Sequence, residues 1–310
     1  QNYWALVIGA LISPFIKCCT SYAIIEYRPS IDLNKQKIIK LLNFGGWLWG
    51  SRFLFSLTKI LPNMFIGKTF GLTILGGYKQ AEQLGTIVEQ IFKKISANIL
   101  LPVISDLNRN NSIKQNFIQE SIICLLVFSS TIAIFGFFYS NILVTIILGK
   151  SWIFSIPIVE LYFIVGAILF FCNTLSTVII GLGNTRLDFL AKLTTFLIVL
   201  SSIFFCNKID QILSLLIFGF GVQALIILIW ILYHFKINLL TFLNNLTVFF
   251  IPLISTIICI VILKYNFNQI ELYLNILSLM ISVVVFILLT YLQMIFFRKG
   301  MFKLLMSYWK

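Results

Sequence analysis

Residues 211–233, QILSLLIFGFGVQALIILIWILY, hold no charged side chain. As an α-helix such a segment is about 34 Å long, enough to cross a hydrocarbon layer about 30 Å thick. Runs of this kind recur along the chain. Spans of roughly 20 mostly apolar residues fall at 3–25, 40–62, 77–103, 118–142, 153–181, 187–206, 211–233, 246–264 and 273–296. Lipid offers the backbone no hydrogen-bond partner, so a chain crossing it repeatedly must close its own bonds within helices or a barrel. Apolar runs of this length point to helices. The fold class expected is therefore all-α, a polytopic membrane helix bundle with about nine transmembrane helices. The longest connections, EYRPSIDLNKQKIIK and SDLNRNNSIKQNF, hold about 15 residues each, too few for an extramembrane domain.

Composition agrees. The chain is 60% hydrophobic and 11% charged, where soluble proteins carry about 25% charge. A net charge of +13 invites a nucleic-acid reading, but the basic residues stand singly or in short clusters beside apolar runs. That placement fits cytoplasmic loops instead, and no nucleic-acid partner is expected. One set of ends and loops carries Arg28, Lys35, Lys37, Lys40, Arg109, Lys114, Arg186, Lys236, Arg298, Lys299, Lys303 and Lys310; the other carries Lys68, Lys150, Lys208 and Lys264. The imbalance places the first set, with the C-terminus, in the cytoplasm of a multi-pass cell-membrane protein.

No catalytic constellation is present in the sequence. The six cysteines lie in apolar runs without CxxC spacing and read as small buried hydrophobes. His234 is the single histidine, which excludes a His-based metal site. HExxH, GxSxG, DxD and the P-loop pattern are absent, and ILGKSW and GLGNTR read as Gly-containing loops. Neither catalytic residues, a metal nor a cofactor is expected. Gln1 stands at the edge of an apolar run with neither Met nor a signal peptide before it, so we expect the chain to lack an earlier part.

Against this bare background, YKQAEQLGTIVEQIFKK (78–94) is conspicuous for Lys79, Glu82, Glu89, Lys93 and Lys94. On one continuous helix, Lys79, Glu82, Gln83, Thr86, Glu89, Gln90 and Lys93 occupy a sector of about 120°, with Leu84, Val88, Ile91, Phe92 and Ile95 opposite. Lys79 and Lys93 stand about 21 Å apart along such a helix. Charges turned to lipid would cost about 2.5–3.5 kcal/mol each. The stripe should face protein or water. The preceding span, FGGWLWGSRFLFSLTKILPN, shows the same design: Gly45, Arg52, Ser56, Lys59 and Asn63 fall within about 60° of one another. Glu89 and Lys93 at i,i+4 can also neutralise each other as a packing device, and Lys79 and Lys94 can snorkel to the interfaces. Glu160 and Lys192, in later spans, fit burial or interface placement as well as function. The excess of cations over acids across the two spans suits an anionic passenger such as a pyrophosphate.

The order of motifs resembles the C-terminal two-thirds of Wzx-type polysaccharide flippases of the multidrug/oligosaccharidyl-lipid/polysaccharide (MOP) exporter superfamily, whose fold is MATE-like. The likeness runs through YWALVIGALI, YRPSID, LLNFGGWLWGSRFLF, IGKTFGLTILGGYKQAEQL, ILLPVISDLNRN, ILGKSWIFSIPIVELYF and GLGNTRLDF, about residues 3 to 195. It implies two pseudo-symmetric six-helix lobes around a central cavity. By that alignment 1–35 holds the last helix of the first lobe and the inter-lobe loop, 36–240 the second lobe, and 241–310 two further helices and a cytoplasmic tail. It implies transport rather than enzymatic chemistry: movement of an undecaprenyl-pyrophosphate-linked oligosaccharide across the cytoplasmic membrane by alternating access. Under this reading Arg52, Lys59, Lys79 and Lys93 are the candidate substrate-binding residues. Glu82, Glu89 and Asn63 are the candidate ion-coupling or cavity residues, with H+ or Na+ as the coupling ion. Partners implied are the lipid-linked oligosaccharide, membrane lipid, and polysaccharide polymerase and chain-length proteins. Asn63, in LPNMFIGK, stands where many relatives carry an acid, which bears on ion coupling. The alternatives weighed are a multidrug/cation antiporter of the same superfamily, a membrane polymerase or ligase, and a scaffold protein.

Overall fold

The structure is a computed structural model that describes residues 4–24, 34–109, 115–266, 278, 280–286 and 288. Every element among these is helical, and the protein is a polytopic membrane helix bundle. Three segments are long and apolar enough, by length and composition, to cross a membrane among the described residues: Ser121–Leu148, Lys150–Gly181 and Ile209–His234. The chain divides into two compact units, Gln1–Asn43 and Phe44–Lys310. The first contains α1 (Trp4–Ile24), with Pro14 inside it, and the opening residues of α2 (Lys35–Thr69). The division thus falls within α2, where the motif alignment sets the boundary at residue 35/36.

Asn34 starts α2: its Oδ1 accepts from the Gln36 amide at 3.0 Å and its carbonyl accepts from the Ile38 amide at 3.0 Å. A side-chain oxygen there satisfies a first-turn donor that no helical carbonyl can reach. The connection expected over residues 26–40 is therefore shorter than the apolar pattern indicates, because Lys35 to Lys40 are already helical. Lys, Gln and Leu are good helix formers, and a charged first turn can stand outside the hydrocarbon.

The expected span 77–103 is a segmented rod rather than one helix. Its pieces are α3 (Leu72–Gly85), α4 (Ile87–Ile95), a π-helical turn over Ser96–Leu100, and α5 (Leu101–Arg109). At the first joint the Glu82 carbonyl accepts twice from Thr86, from its amide at 3.0 Å and its Oγ1 at 2.6 Å. At the second, Pro102 has no amide to donate, and the wide π turn ends two residues before it, at Leu100. The longer connection expected over residues 105–117 is also trimmed, since α5 reaches Arg109 and α6 (Gln115–Leu143) begins soon after.

α7 (Ile156–Gly181) is the hub. It packs against α3, α4, α5, α6, α8 (Thr185–Phe205) and α9 (Ile209–His234), while α10 (Leu239–Asn266) packs on α6. Seventeen of its residues are buried, which is why its sequence is apolar around its whole circumference. Gly183, at φ +86, ends the α7–α8 turn in a conformation that disfavours any Cβ, and Asn184 caps α8 by accepting from the Leu187 amide at 3.3 Å. Gly149 (φ +90) closes the other glycine-containing loop, ILGKSW. The ninth expected span, 273–296, falls mostly outside the described residues, as do Arg28, Lys114 and the basic residues beyond 297.

Candidate functional site

α2 meets the rest of its unit near its start, at Phe55 and near its end. Near its start, Phe189 of α8 lies edge-on to Trp47 at 5.1 Å, and the same ring fills the space beside Gly50. Thr185 Oγ1 also donates to the Phe44 carbonyl at 3.3 Å. Near its end, Leu75 of α3 fits beside Gly67. Lys59 lies between these contacts. There α2 and the α3–α4 rod enclose an open cleft with about 250 Å³ of room for solvent. Its walls are Lys59, Lys79, Gln80, Glu82, Gln83, Thr86 and Gln90. Among the described residues no apolar side chain contributes to that lining. A narrower crevice of about 20 Å³ continues inward past Thr58 and Thr86 to the buried pair Tyr78 and Tyr162, whose rings meet edge-on at 5.1 Å. A space of that size holds about one water.

The predicted residues are distributed as follows. Lys79 donates to Glu82 Oε2 at 2.7 Å, with its side chain 47% exposed. Such an exposed pair contributes about 0–1 kcal/mol to stability. Lys59 faces the cleft and packs its Nζ 5.1 Å from the centre of the Phe55 ring. Lys93, one rod segment further on, does not line the cleft, but its Nζ reaches the same ring at 5.3 Å. Arg52 is exposed and lies outside the cleft lining. Asn63 turns back on its own helix, donating to the Lys59 carbonyl at 2.7 Å, while its Oδ1 is buried without a partner.

Glu89 turns away from the cleft. It is 2% exposed and accepts from Asn173 Nδ2 of α7 at 2.6 Å. Glu89 stands at the edge of the polar sector on the helical wheel, and from there it reaches Asn173 of α7, while its neighbour Gln90 lines the cleft. Gln90 Nε2 reaches back across the joint to Thr86 Oγ1 at 3.1 Å.

The structure adds residues that pattern reading passed over. Asp188 is fully buried on α8, and its Oδ2 accepts from Lys192 Nζ at 2.7 Å. Lys192 Nζ in turn lies 6.0 Å from the Phe55 ring centre. Asp188 and Lys192 stand at i,i+4, a spacing visible in the sequence; their burial is not. Asn173 and Phe55 carried no signal, one polar residue in an apolar run and one phenylalanine among 31. Next to this layer, Thr195 Oγ1 contacts Gln223 Oε1 at 3.0 Å and donates to the Gly219 carbonyl at 3.1 Å, tying α8 to α9. Among the described residues no group of His, Cys, Asp and Glu is placed to hold a metal ion.

A membrane bundle with a polar, cation-bearing cleft is what the comparisons with known proteins meet. The family described as polysaccharide biosynthesis proteins matches residues 1–157, half of the chain. The chain belongs to that family. Among its relatives, the lipopolysaccharide biosynthesis protein WzxC of Escherichia coli K12 is 20% identical over 203 residues, 63% of this chain and 40% of WzxC. The succinoglycan biosynthesis transport protein ExoT of Rhizobium meliloti is 20% identical over 181 residues, 58% of this chain and 37% of ExoT. The teichuronic acid biosynthesis protein TuaB of Bacillus subtilis is 24% identical over 166 residues, 53% of this chain and 34% of TuaB. The matches thus span well under half the length of these relatives. No solved structure matches the chain. The family assignment agrees with the Wzx-type resemblance read from the motifs.

Proposed function

We propose that this chain carries one lobe of a flippase that moves an oligosaccharide, linked to undecaprenyl pyrophosphate, from the inner to the outer leaflet of the cytoplasmic membrane. The observation that carries this reading is the cleft between α2 and α3, lined by two lysines, one glutamate and uncharged polar residues, inside a family of polysaccharide biosynthesis proteins. A pyrophosphate head group is too polar for lipid and needs a wet passage with positive charge. Lys59 and Lys79 supply point charges at the cleft, Lys93 stands one segment further along, and Arg52 offers a bidentate grip nearer the start of α2. Glu82, already engaged by Lys79, keeps the net charge low enough for the passenger to leave.

Alternating access, with two lobes rocking about the site, is the mechanism proposed. An inside-negative potential favours outward movement of a net anion by about 2.3 kcal/mol per charge per 100 mV. Glu82, Glu89 and Asn63 are the proposed places for H+ or Na+ coupling, and Glu89 is the strongest of the three because it is a buried acid held by a single named donor. We assign the protein no reaction chemistry of its own. We place its C-terminus in the cytoplasm, and its handover partners are a polysaccharide polymerase and chain-length proteins.

The test replaces Lys59 and Lys79 together with Ala and measures surface polysaccharide at matched protein levels. Export should fall by at least tenfold, the equivalent of about 1.4 kcal/mol. Unchanged export removes the cleft from the mechanism. A multidrug/cation antiporter would need a net acidic cleft; drug-resistance assays on the same variants separate the two readings.

A further inference from the structure

Three ammonium groups from three helices share one aromatic ring. Lys59 of α2, Lys93 of α4 and Lys192 of α8 place Nζ at 5.1, 5.3 and 6.0 Å from the centre of Phe55. A ring face attracts each cation but cancels no charge. Only Lys192 has a carboxylate partner, Asp188; among the described residues neither Lys59 nor Lys93 is paired with an acid. Asp188 is itself half-satisfied. Its Oδ2 holds Lys192, and its Oδ1 is buried with no partner. A buried pair kept only for packing is stable when its remaining lone pairs are also met. Here they are not.

We propose that Asp188 is an internal competitor for the passenger anion, holding Lys192 in reserve and setting how tightly the Phe55 cluster binds a phosphate-class group. This rests on the flippase reading above. An anion bridging Lys59 and Lys93 offers Lys192 several charged oxygens within the reach of its flexible four-carbon stem. When Lys192 turns to it, Asp188 is left buried and unpaired, a cost subtracted from the binding energy. When the anion leaves, Lys192 returns to Asp188 and the site is restored. Of the polar groups on neighbouring helices, Cys172 of α7 donates to the Phe220 carbonyl, Glu89 of α4 is engaged by Asn173, and Gln223 of α9 is engaged by Thr195 through Oε1 alone, its Nε2 being buried without a partner. Asp188 therefore sets specificity and release without touching the passenger.

The test uses the full chain in lipid nanodiscs with inorganic pyrophosphate as probe, reading equilibrium binding and the thermal protection it confers. Asp188→Asn should bind pyrophosphate about tenfold tighter than the wild type, and should gain more thermal protection from it. The double variant Asp188→Asn/Lys192→Gln removes both charges and keeps the hydrogen-bonding shape, so it addresses a failure of the single variant to fold. It should bind more weakly than the wild type, because the third ammonium contact is gone. If the double variant and every folded Asp188 variant bind as the wild type does while Lys59→Gln weakens binding, Asp188 is structural and the flippase site stands. If pyrophosphate binds neither the wild type nor any of these variants, the competitor and the anion cleft are both overturned.

Discussion

Gly85 of α3 and Gly166 of α7 press backbone against backbone: a Cβ added at Gly166 would overlap the Gly85 carbonyl oxygen. From the other side, a Cβ at Gly85 would come within 2.6 Å of the Tyr162 carbonyl. Small residues at a crossing let two membrane helices approach until their backbones touch. This approach fixes α3 on the hub helix and sets the depth at which Tyr78, Glu82 and Thr86 meet Tyr162.

Gly166→Ala should therefore destabilise the protein by at least the 1–3 kcal/mol typical of overpacking, roughly. Nothing lies within 4 Å of a Cβ added at Gly221, in the interior of α9. Gly221→Ala should be neutral or stabilising by about 0.5–1 kcal/mol, since Ala is the better helix former. Thermal unfolding of both variants in nanodiscs checks the contrast.

Asn173 donates to a carboxylate that is almost wholly buried, that of Glu89. Asn173→Ala should cost about 1–3 kcal/mol, the penalty for leaving a buried polar group without its partner. Adding Glu89→Gln to Asn173→Ala should recover part of the loss, and a double-mutant cycle measures the coupling directly.

Lys79 makes the opposite case. Its pair with Glu82 is exposed, so Lys79→Ala should change unfolding free energy by less than about 1 kcal/mol. Surface polysaccharide should nevertheless fall if Lys79 guides an anion into the cleft. A loss of export with unchanged stability separates a transport role from a packing role.

Much of this was legible in the sequence, and for a physical reason. Lipid penalises exposed charge so heavily that runs such as 211–233 could be placed as helices from composition alone, and α9 occupies Ile209–His234. Lys79, Glu82, Gln83, Thr86 and Gln90 share the cleft because they lie within about three turns of one rod, where a helical wheel holds. Glu89 escaped the wheel because its partner, Asn173 of α7, lies 84 residues away in the chain, and a wheel drawn for one helix holds no neighbouring helix. The Asp188–Lys192 pair was hidden for a related reason. An i,i+4 pair looks the same on a snorkelling surface and in a bundle interior, and only the packing of α7 and α9 around α8 distinguishes them.

Transport of a charged head group requires the cleft between α2 and α3 to be wet. In a background with the six native cysteines replaced, Gln83→Cys and Lys59→Cys can be treated with a membrane-impermeant maleimide, with Leu225→Cys and Ile229→Cys on the exposed apolar face of α9 as controls. A wet cleft gives rapid labelling at residues 83 and 59 and none at 225 and 229. Labelling no faster at 83 and 59 than at the controls would contradict it.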